Sequence, residues 1–192
     1  MKRALVVALA LSLALSSPAG AKPVRGLHMG GPRVQPIMWT WATDASHNVP
    51  LPNANFTVWS GDPYFAFDAP QMMFLPKSQD GWTGLAIHGL FLHELGHAYD
   101  YTAMTPARRN AFRAAAGTDC NWYAKRCVTA RWISGPGVFV NVPPGEMFAE
   151  MYAACALGLT RVQVEQAGYN TYGWVPPDGT DEAALCNIIR GT

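Results

Sequence analysis

A long, mostly apolar stretch from Leu85 to Tyr101 contains no proline, and its length and composition predict a buried helix. The chain before it consists of shorter runs rich in aromatic and β-branched residues, which are typical of strands. Strands are predicted at Val34–Trp41, Phe56–Trp59, Tyr64–Phe67 and Gln71–Leu75, and the last two are expected to pair across the turn Asp68-Ala69-Pro70. An exposed edge of such a pair could bind an extended peptide through its backbone. The alternative is an ordinary hairpin that covers the core.

The chain after this stretch carries the start and stop signals of helices. Helices are predicted from the cap Thr105 to Gly117, from Glu146 to Leu157 before Gly158, from the capping box Thr160/Gln163 to Gly168, and from Asp181 to Ile189. The arginines of the first of these helices, Arg108, Arg109 and Arg113, are expected on a solvated face, and residues 118–142 are expected to be irregular. Strands followed by helices predict an α+β fold. A small twisted sheet from residues 34–75 would pack on the 85–101 helix, with a mainly helical C-terminal lobe and a cleft between the two.

The N-terminus has the pattern of a signal peptide covering residues 1–21, in which Lys2 and Arg3 precede an apolar run and Ala19-Gly20-Ala21 provides a cleavage site. Cleavage would leave residues 22–192, a length that suits one domain. The apolar run is too short to span a membrane and is followed by Pro18, which favours cleavage over the alternative of a retained N-terminal anchor. No other run is long enough to cross a bilayer, so we expect a secreted or periplasmic protein without a membrane partner after cleavage. The net charge of +1 gives no electrostatic basis for binding nucleic acid.

The four cysteines of an exported chain are expected to form two disulfides. Of the three possible pairings we favour Cys120–Cys127 with Cys155–Cys186, because the first closes a short local loop and the second ties the last helix to an earlier one. A cysteine zinc site is the alternative. It is disfavoured because the chain contains no Cys-x-x-Cys pair.

The sequence His93-Glu94-Leu95-Gly96-His97 lies within the predicted 85–101 helix and matches the HExxH pattern of zinc enzymes. Helical spacing places His93 and His97 on one face, where both imidazoles can reach one metal ion. Zinc held by neutral imidazoles lowers the pKa of a bound water toward 7, and Glu94 could accept the proton of that water. The structural alternative is a core helix that carries two histidines without a metal. Gly96 favours the metal interpretation, because glycine inside a helix indicates a packing requirement.

A catalytic zinc ion usually takes three protein ligands, so a third is needed beside the two histidines. The metzincin pattern HExxHxxGxxH is excluded, because Asp100 stands in place of its glycine and Ala103 in place of its last histidine. Asp119 is a weak candidate, since an aspzincin would have its aspartate two residues later, where Asn121 stands. The remaining candidates are Glu146 and Glu150, which lie one turn apart on the predicted 146–157 helix.

The stretches His-Glu-Leu-Gly-His-Ala-Tyr-Asp at 93–100 and Glu-Met-Phe-Ala-Glu at 146–150 resemble the gluzincin-type zinc peptidases, most closely the catalytic domain of the anthrax lethal factor type. The resemblance implies a zincin-like fold and one Zn²⁺ held by His93, His97 and Glu146. It also implies that Glu150 supports a ligand histidine from outside the coordination sphere. Asp100 is a second candidate for that supporting position, with an exposed capping role as its alternative.

The chain departs from the lethal-factor pattern at one position. That pattern has a tyrosine shortly before the third ligand, where it stabilises the oxyanion, and Phe139 stands at the comparable spacing here. Tyr169, Tyr172 or His88 could take over this role. The loss of one such donor lowers turnover by a factor of about 10² to 10³.

These features together predict a secreted, monomeric, zinc-dependent endopeptidase in which Glu94 activates the attacking water. Its partners would be peptide or protein substrates. The alternative is a non-catalytic secreted binding or toxin-like module whose zinc site is structural, consistent with Phe139 and the small size. The retained Glu94 favours the enzyme, because a structural zinc site has no need of a general base.

Overall fold

A long central helix and a second buried helix packed against it organise the fold. The computed structural model describes residues 26–31, 35–61, 66–68, 72–76, 84–131, 138–166, 174–177 and 179–192. In chain order the elements are β1 (Leu27–Gly30), α1 (Pro36–Ala45), β2 (Ala54–Gly61), β3 (Ala66–Asp68), β4 (Met72–Pro76), α2 (Gly84–Ala103), α3 (Pro106–Ala115), β5 (Val128–Arg131), β6 (Val138–Asn141), α4 (Pro144–Leu157), α5 (Arg161–Gln166) and α6 (Glu182–Arg190). The predicted α+β class is confirmed. The predicted signal peptide lies outside the described residues.

The larger sheet has the strand order β1-β2-β4-β3. Strands β1, β2 and β4 run parallel, whereas β3 pairs with β4 in the antiparallel direction. The predictions of strands at 56–59 and 71–75 are confirmed by β2 and β4, and the predicted pairing of the two strands around residue 70 is confirmed by β3 and β4. Among the described strands, β3 therefore forms one edge of this sheet, and it contacts α2.

The predicted strand at Val34–Trp41 is wrong, because α1 occupies this part of the chain. Pro36 stands in the first turn of the helix, where its missing N–H costs nothing. The buried positions are Met38, Ala42 and Ala45, which follow helical spacing. The alternating aromatic residues that suggested a strand are only partly buried, so they do not define the packed face.

The expectation that residues 118–142 are irregular is also wrong in part. Strands β5 and β6 pair in the antiparallel direction, with Val128 opposite Asn141 and Arg131 opposite Val138. The ladder extends into the preceding loop, because the Val142 N–H donates to the carbonyl of Cys127 at 2.9 Å. Asn141 adds a side-chain bond, since its Oδ1 accepts from the Cys127 N–H at 2.7 Å. The two strands are close in sequence, but whether runs of four residues form strands depends strongly on their surroundings.

The predictions of the later helices are confirmed, together with their caps. The Thr105 hydroxyl accepts from a backbone N–H of the first turn of α3, and Asp181 does the same for α6. Thr160 and Gln163 form the predicted reciprocal capping box before α5, with donor to acceptor distances of 2.9 and 3.2 Å. Gly158 ends α4 in the left-handed conformation, with φ of 68°.

The arginines of α3 are not confined to a solvated face as expected. Arg108 donates to the carbonyls of Ile188 and Ile189, the last turn of α6, at distances down to 2.5 Å. The carbonyls of a last turn lack the donors that a following turn would supply, and the Ile188 carbonyl accepts only a long bond from the Gly191 N–H, at 3.3 Å. The guanidinium therefore adds hydrogen bonds to both carbonyls. Arg109 is bonded to Asp100. The two arginines thus connect α3 to α6 and α2.

Both predicted disulfides are confirmed. Cys120 is bonded to Cys127 and Cys155 to Cys186, with Cα–Cα distances of 5.8 and 5.7 Å. The second bond joins α4 to α6 as expected. All four cysteines are thereby paired, which excludes a cysteine zinc site and indicates an oxidising environment. Among the helices that the structure describes, none combines the length and apolarity that crossing a membrane requires.

Candidate metal centre

The two histidines of the HExxH sequence lie on the face of α2 that meets α4. His93 and His97 are one helical turn apart, and their Nε2 atoms are separated by 3.1 Å. Their rings stand nearly perpendicular, with centroids 4.7 Å apart and an interplanar angle of 82°. Helical spacing therefore does direct both imidazoles at one point, as the sequence predicts.

Glu146 in the first turn of α4 completes this group of donor atoms. Its Oε2 lies 3.1 Å from His93 Nε2 and 3.0 Å from His97 Nε2. The structure thus brings together the three residues expected as metal ligands, and this group could hold a metal ion. Asp119, the weak rival, is exposed on the loop after α3 and takes no part in this group.

The donor atoms fit the size of a metal ion. Ligand atoms around a tetrahedral zinc ion lie about 3.3 Å from one another. The three distances here are 3.0 to 3.1 Å, so an ion would need only a slight opening of the triangle. Imidazole nitrogen and carboxylate oxygen are both donor types that zinc accepts.

The electrostatics of the group favour a positive charge at its centre. Burial opposes protonation of His97, but the hydrogen bond and charge of Glu146 outweigh it and raise the pKa of His97 to about 9. Burial likewise opposes ionisation of Glu146, yet the hydrogen bonds from His93 and His97 hold the pKa of its carboxyl well below the usual range. The positive charge that this site attracts can be supplied by a proton or by a metal ion.

The centre is closed on one side and open on the other. The His93 side chain is 2% exposed, whereas those of His97 and Glu146 are 22% and 23% exposed. Among the described residues no fourth histidine, cysteine or carboxylate joins the three. Three protein ligands with solvent on one side are typical of catalytic zinc sites, while structural sites are closed by four ligands.

Glu94 follows His93 directly on α2 and is buried. Its negative charge contributes to the raised pKa of His97, so its carboxylate lies within electrostatic range of that ring. Glu94 is therefore buried directly after one candidate ligand in the sequence and acts electrostatically on the other.

Glu150 lies one turn after Glu146 and is fully buried. Its Oε1 is 3.9 Å from Nδ1 of His93, so the His93 ring stands between two glutamates of α4. Its other oxygen is paired with Arg161, a residue to which the sequence pattern assigned no role. The signal that could have identified this arginine is the cost of burying Glu150 without a cation.

Asp100 does not occupy the position expected of it. Its Oδ1 accepts from Nε of Arg109 at 2.7 Å, and its Oδ2 accepts from the indole N–H of Trp122 at 2.9 Å. The carboxylate thus braces the end of α2 against α3 and the following loop, and is neither an exposed cap nor bonded to a ligand histidine. Its negative charge still contributes to the raised pKa of His97.

Of the proposed substitutes for the missing oxyanion donor, only His88 lies within the described residues. Its ring stacks on Trp41 of α1, with centroids 4.7 Å apart. Burial lowers its pKa to about 4, although the charge of Asp44 acts in the opposite direction. His88 thus packs toward α1. Tyr169 and Tyr172 lie outside the described residues, and Phe139 lies in β6, where its backbone is paired opposite Ala130.

The sequence and the structure were compared with known proteins. No family model, no curated protein and no solved structure matches the chain.

Proposed function

We propose that the chain is a zinc metallopeptidase with a zincin-like fold, as its resemblance to the gluzincin-type peptidases implies. One observation carries the proposal. The Nε2 atoms of His93 and His97 and the Oε2 of Glu146 converge within 3.1 Å of one another, and Glu94 stands next to the first ligand. Two nitrogen donors and one carboxylate are a ligand set used by zinc peptidases.

Zinc bound here would polarise a peptide carbonyl and make water a nucleophile near neutral pH. Glu94 would accept the proton of the attacking water and pass it to the amine that leaves. Glu146 and the two imidazoles would hold the ion in the orientation that keeps its free side toward solvent. The exposed flanks of His97 and Glu146 support this arrangement, because a substrate must approach from that side.

The proposed substrate is a peptide or protein segment in an extended conformation. Strand β3 forms an edge of the larger sheet among the described strands and contacts α2, which carries the proposed centre. A free strand edge can bind an extended peptide through backbone hydrogen bonds. The two disulfides support the further proposal that a signal peptide at residues 1–21 directs export and that the mature protein acts outside the cytoplasm. We also propose that the mature protein is a monomer.

The deciding experiment uses purified mature protein and the variant Glu94→Gln, which preserves side-chain size. We expect both proteins to contain about one zinc per chain. The wild type should cleave an unstructured protein, lose this activity with a chelator and regain it with added zinc. The variant should bind zinc without cleaving. Cleavage that persists in Glu94→Gln, or that survives complete removal of the metal, would contradict the proposal.

The second candidate is a secreted binding or toxin-like module with a structural zinc ion. Phe139 favours it, because the lethal-factor pattern has a tyrosine at that spacing. Under this alternative, zinc raises the melting temperature, a peptide library remains uncut, and Glu94→Gln changes neither the binding function nor the fold. If the wild type cleaves the peptide library and the Glu94→Gln variant does not, the result favours the enzyme.

A further inference from the structure

Three charged side chains form a buried cluster behind the metal centre. Glu150 and Arg161 are completely inaccessible to solvent, and Glu165 is nearly so. The guanidinium of Arg161 is paired with Glu150, and its Nη2 lies 3.6 Å from Oε2 of Glu165. Taking charges out of water costs several kcal/mol for each ion, so these groups stay buried only because they are paired.

The cluster is anchored to the backbone as well. Arg161 donates from Nε and Nη2 to the carbonyl of Trp174, at 3.1 and 3.0 Å. Its guanidinium is therefore held by two carboxylates and one carbonyl. An arginine fixed on several sides of its plane is a rigid support, which a flexible lysine would not reproduce.

The cluster reaches the metal centre through Glu150. One oxygen of this carboxylate faces Arg161, and the other lies 3.9 Å from Nδ1 of His93. Nε2 of the same ring points at the proposed metal position, 3.1 Å from Oε2 of Glu146. Arg161, Glu150 and His93 thus form a continuous line from α5 through α4 to α2.

We propose that Arg161 is a positioning residue of the metal centre, which holds Glu150 against His93 so that the ring keeps Nε2 directed at the ion. The inference rests on the metal site of the proposed function. Metal-binding histidines generally turn their second nitrogen to a carboxylate, and loss of such a group weakens metal binding by a factor of about 10 to 100. Arg161 acts one step further out, on the carboxylate itself.

A merely structural role for Arg161 makes different predictions, and Glu165 provides the matched control. Both carboxylates pair with the same guanidinium, but Glu165 lies on α5 and Glu150 is the one beside His93. Glu150→Gln and Glu165→Gln make the same chemical change. Each leaves Arg161 with one buried carboxylate, so both variants change the charge of the cluster by the same amount.

Zinc affinity, measured by competition with a chelator, is the first measurement. We expect Glu150→Gln to bind zinc about 10 to 100 times more weakly than wild type. Glu165→Gln should stay within about a factor of two. The absorption spectrum of the cobalt-substituted protein reports the ligand geometry, and it should change in the first variant only. Equal affinities and spectra for the two variants would overturn the proposal.

Arg161→Lys tests the arginine itself, because it keeps the charge and removes the planar fork. We expect weaker zinc binding and an altered cobalt spectrum in a protein that remains folded by circular dichroism. If this variant does not fold, the double variant Arg161→Met/Glu165→Gln replaces it, with the same expectation. A folded variant with the zinc affinity and cobalt spectrum of the wild type overturns the proposal. Failure of both Arg161 variants to fold also overturns it, because Arg161 would then serve only the stability of the fold. Wild type that binds no zinc would instead refute the proposed function.

Discussion

Gly96 of α2 and Ala149 of α4 are in backbone contact: a Cβ added at Gly96 would lie 3.0 Å from the Cα of Ala149 and 3.1 Å from the Cβ of Tyr152. The packing requirement that the sequence indicated at Gly96 is therefore confirmed. The contact lies next to His97 on one helix and one turn after Glu146 on the other. Close approach of the two helices is what brings the Glu146 carboxylate within reach of both imidazoles.

Gly96→Ala should destabilise the protein despite the better helix propensity of alanine. The propensity gain is about 1 kcal/mol. Forcing a methyl group into a packed contact costs about 1 to 3 kcal/mol and moves α4 away from α2. Zinc affinity should fall as well, because Glu146 moves with α4. Chemical unfolding and chelator competition measure the two effects.

Gly84→Ala is the control for this prediction, since Gly84 begins the same helix and an added Cβ there meets nothing within 4 Å. It should leave stability and zinc affinity unchanged or slightly improved. Equal behaviour of the two variants would show that the contact between the helices is not tight.

Glu146→Ala should abolish tight zinc binding while the protein remains folded. The loss should exceed the factor of about 10 to 100 that is typical of groups outside the coordination sphere, because a ligand atom is removed. Asp119→Ala is the control for the rival ligand and should bind zinc like wild type. Metal content after dialysis and chelator competition provide the measurement. If the Asp119→Ala variant lost its zinc and the Glu146→Ala variant kept it, Asp119 and not Glu146 would be the third ligand.

Zinc binding should strengthen as the pH rises toward 9. Glu146 raises the pKa of His97 to about 9, so the ring is protonated at neutral pH until a metal displaces the proton. Zinc binds only the neutral ring, and its apparent affinity should rise about tenfold per pH unit below that pKa. Isothermal titration in buffers of different ionisation enthalpy would detect about one released proton. An affinity that does not vary with pH would contradict this prediction.

The stability of the metal-free protein should fall as the pH is lowered from 6.5 to 4. Burial lowers the pKa of His88 from 6.5 to about 4, so in this window the unfolded chain binds a proton that the folded chain does not. His88 contributes no such loss above pH 6.5, and the loss is complete below 4. His88→Phe retains an aromatic ring against Trp41 and removes the titration. Its free energy of unfolding should vary less with pH in this window, and identical slopes would refute the role of His88.

The two disulfides should differ in their contribution to stability. They close loops with sequence separations of 31 residues for Cys155–Cys186 and 7 residues for Cys120–Cys127. A longer loop restricts the unfolded chain more, so we expect losses of about 4 and 2 kcal/mol when each pair is replaced by alanine. Denaturant unfolding of the two double variants measures this order. The reverse order would indicate that native-state effects outweigh loop closure.

The local sequence alone determines those features of this protein that depend on interactions between residues a few positions apart. The caps Thr105 and Asp181, the capping box of Thr160 and the left-handed Gly158 each act within one helical turn, so the ends of the helices follow from spacing. The same holds for the His93 and His97 pair, because helical geometry alone puts them on one face. Strands β5 and β6 are only four residues long each, and the tendency of such short runs to form strands depends on their surroundings, so the sequence did not predict them.

The tertiary structure decided how these local elements meet. Glu146 and Glu150 are equivalent by spacing, since both lie on the same face of α4. Only the packing of α4 on α2 places the first at Nε2 of His93 and the second near Nδ1. The partner of Glu150 is likewise beyond local sequence, because Arg161 belongs to another helix and its buried pairing depends on the whole fold. The sequence within single helical turns thus determines which candidate ligands share a face. The packing between helices determines which carboxylate meets the histidines and which residues hold it in place.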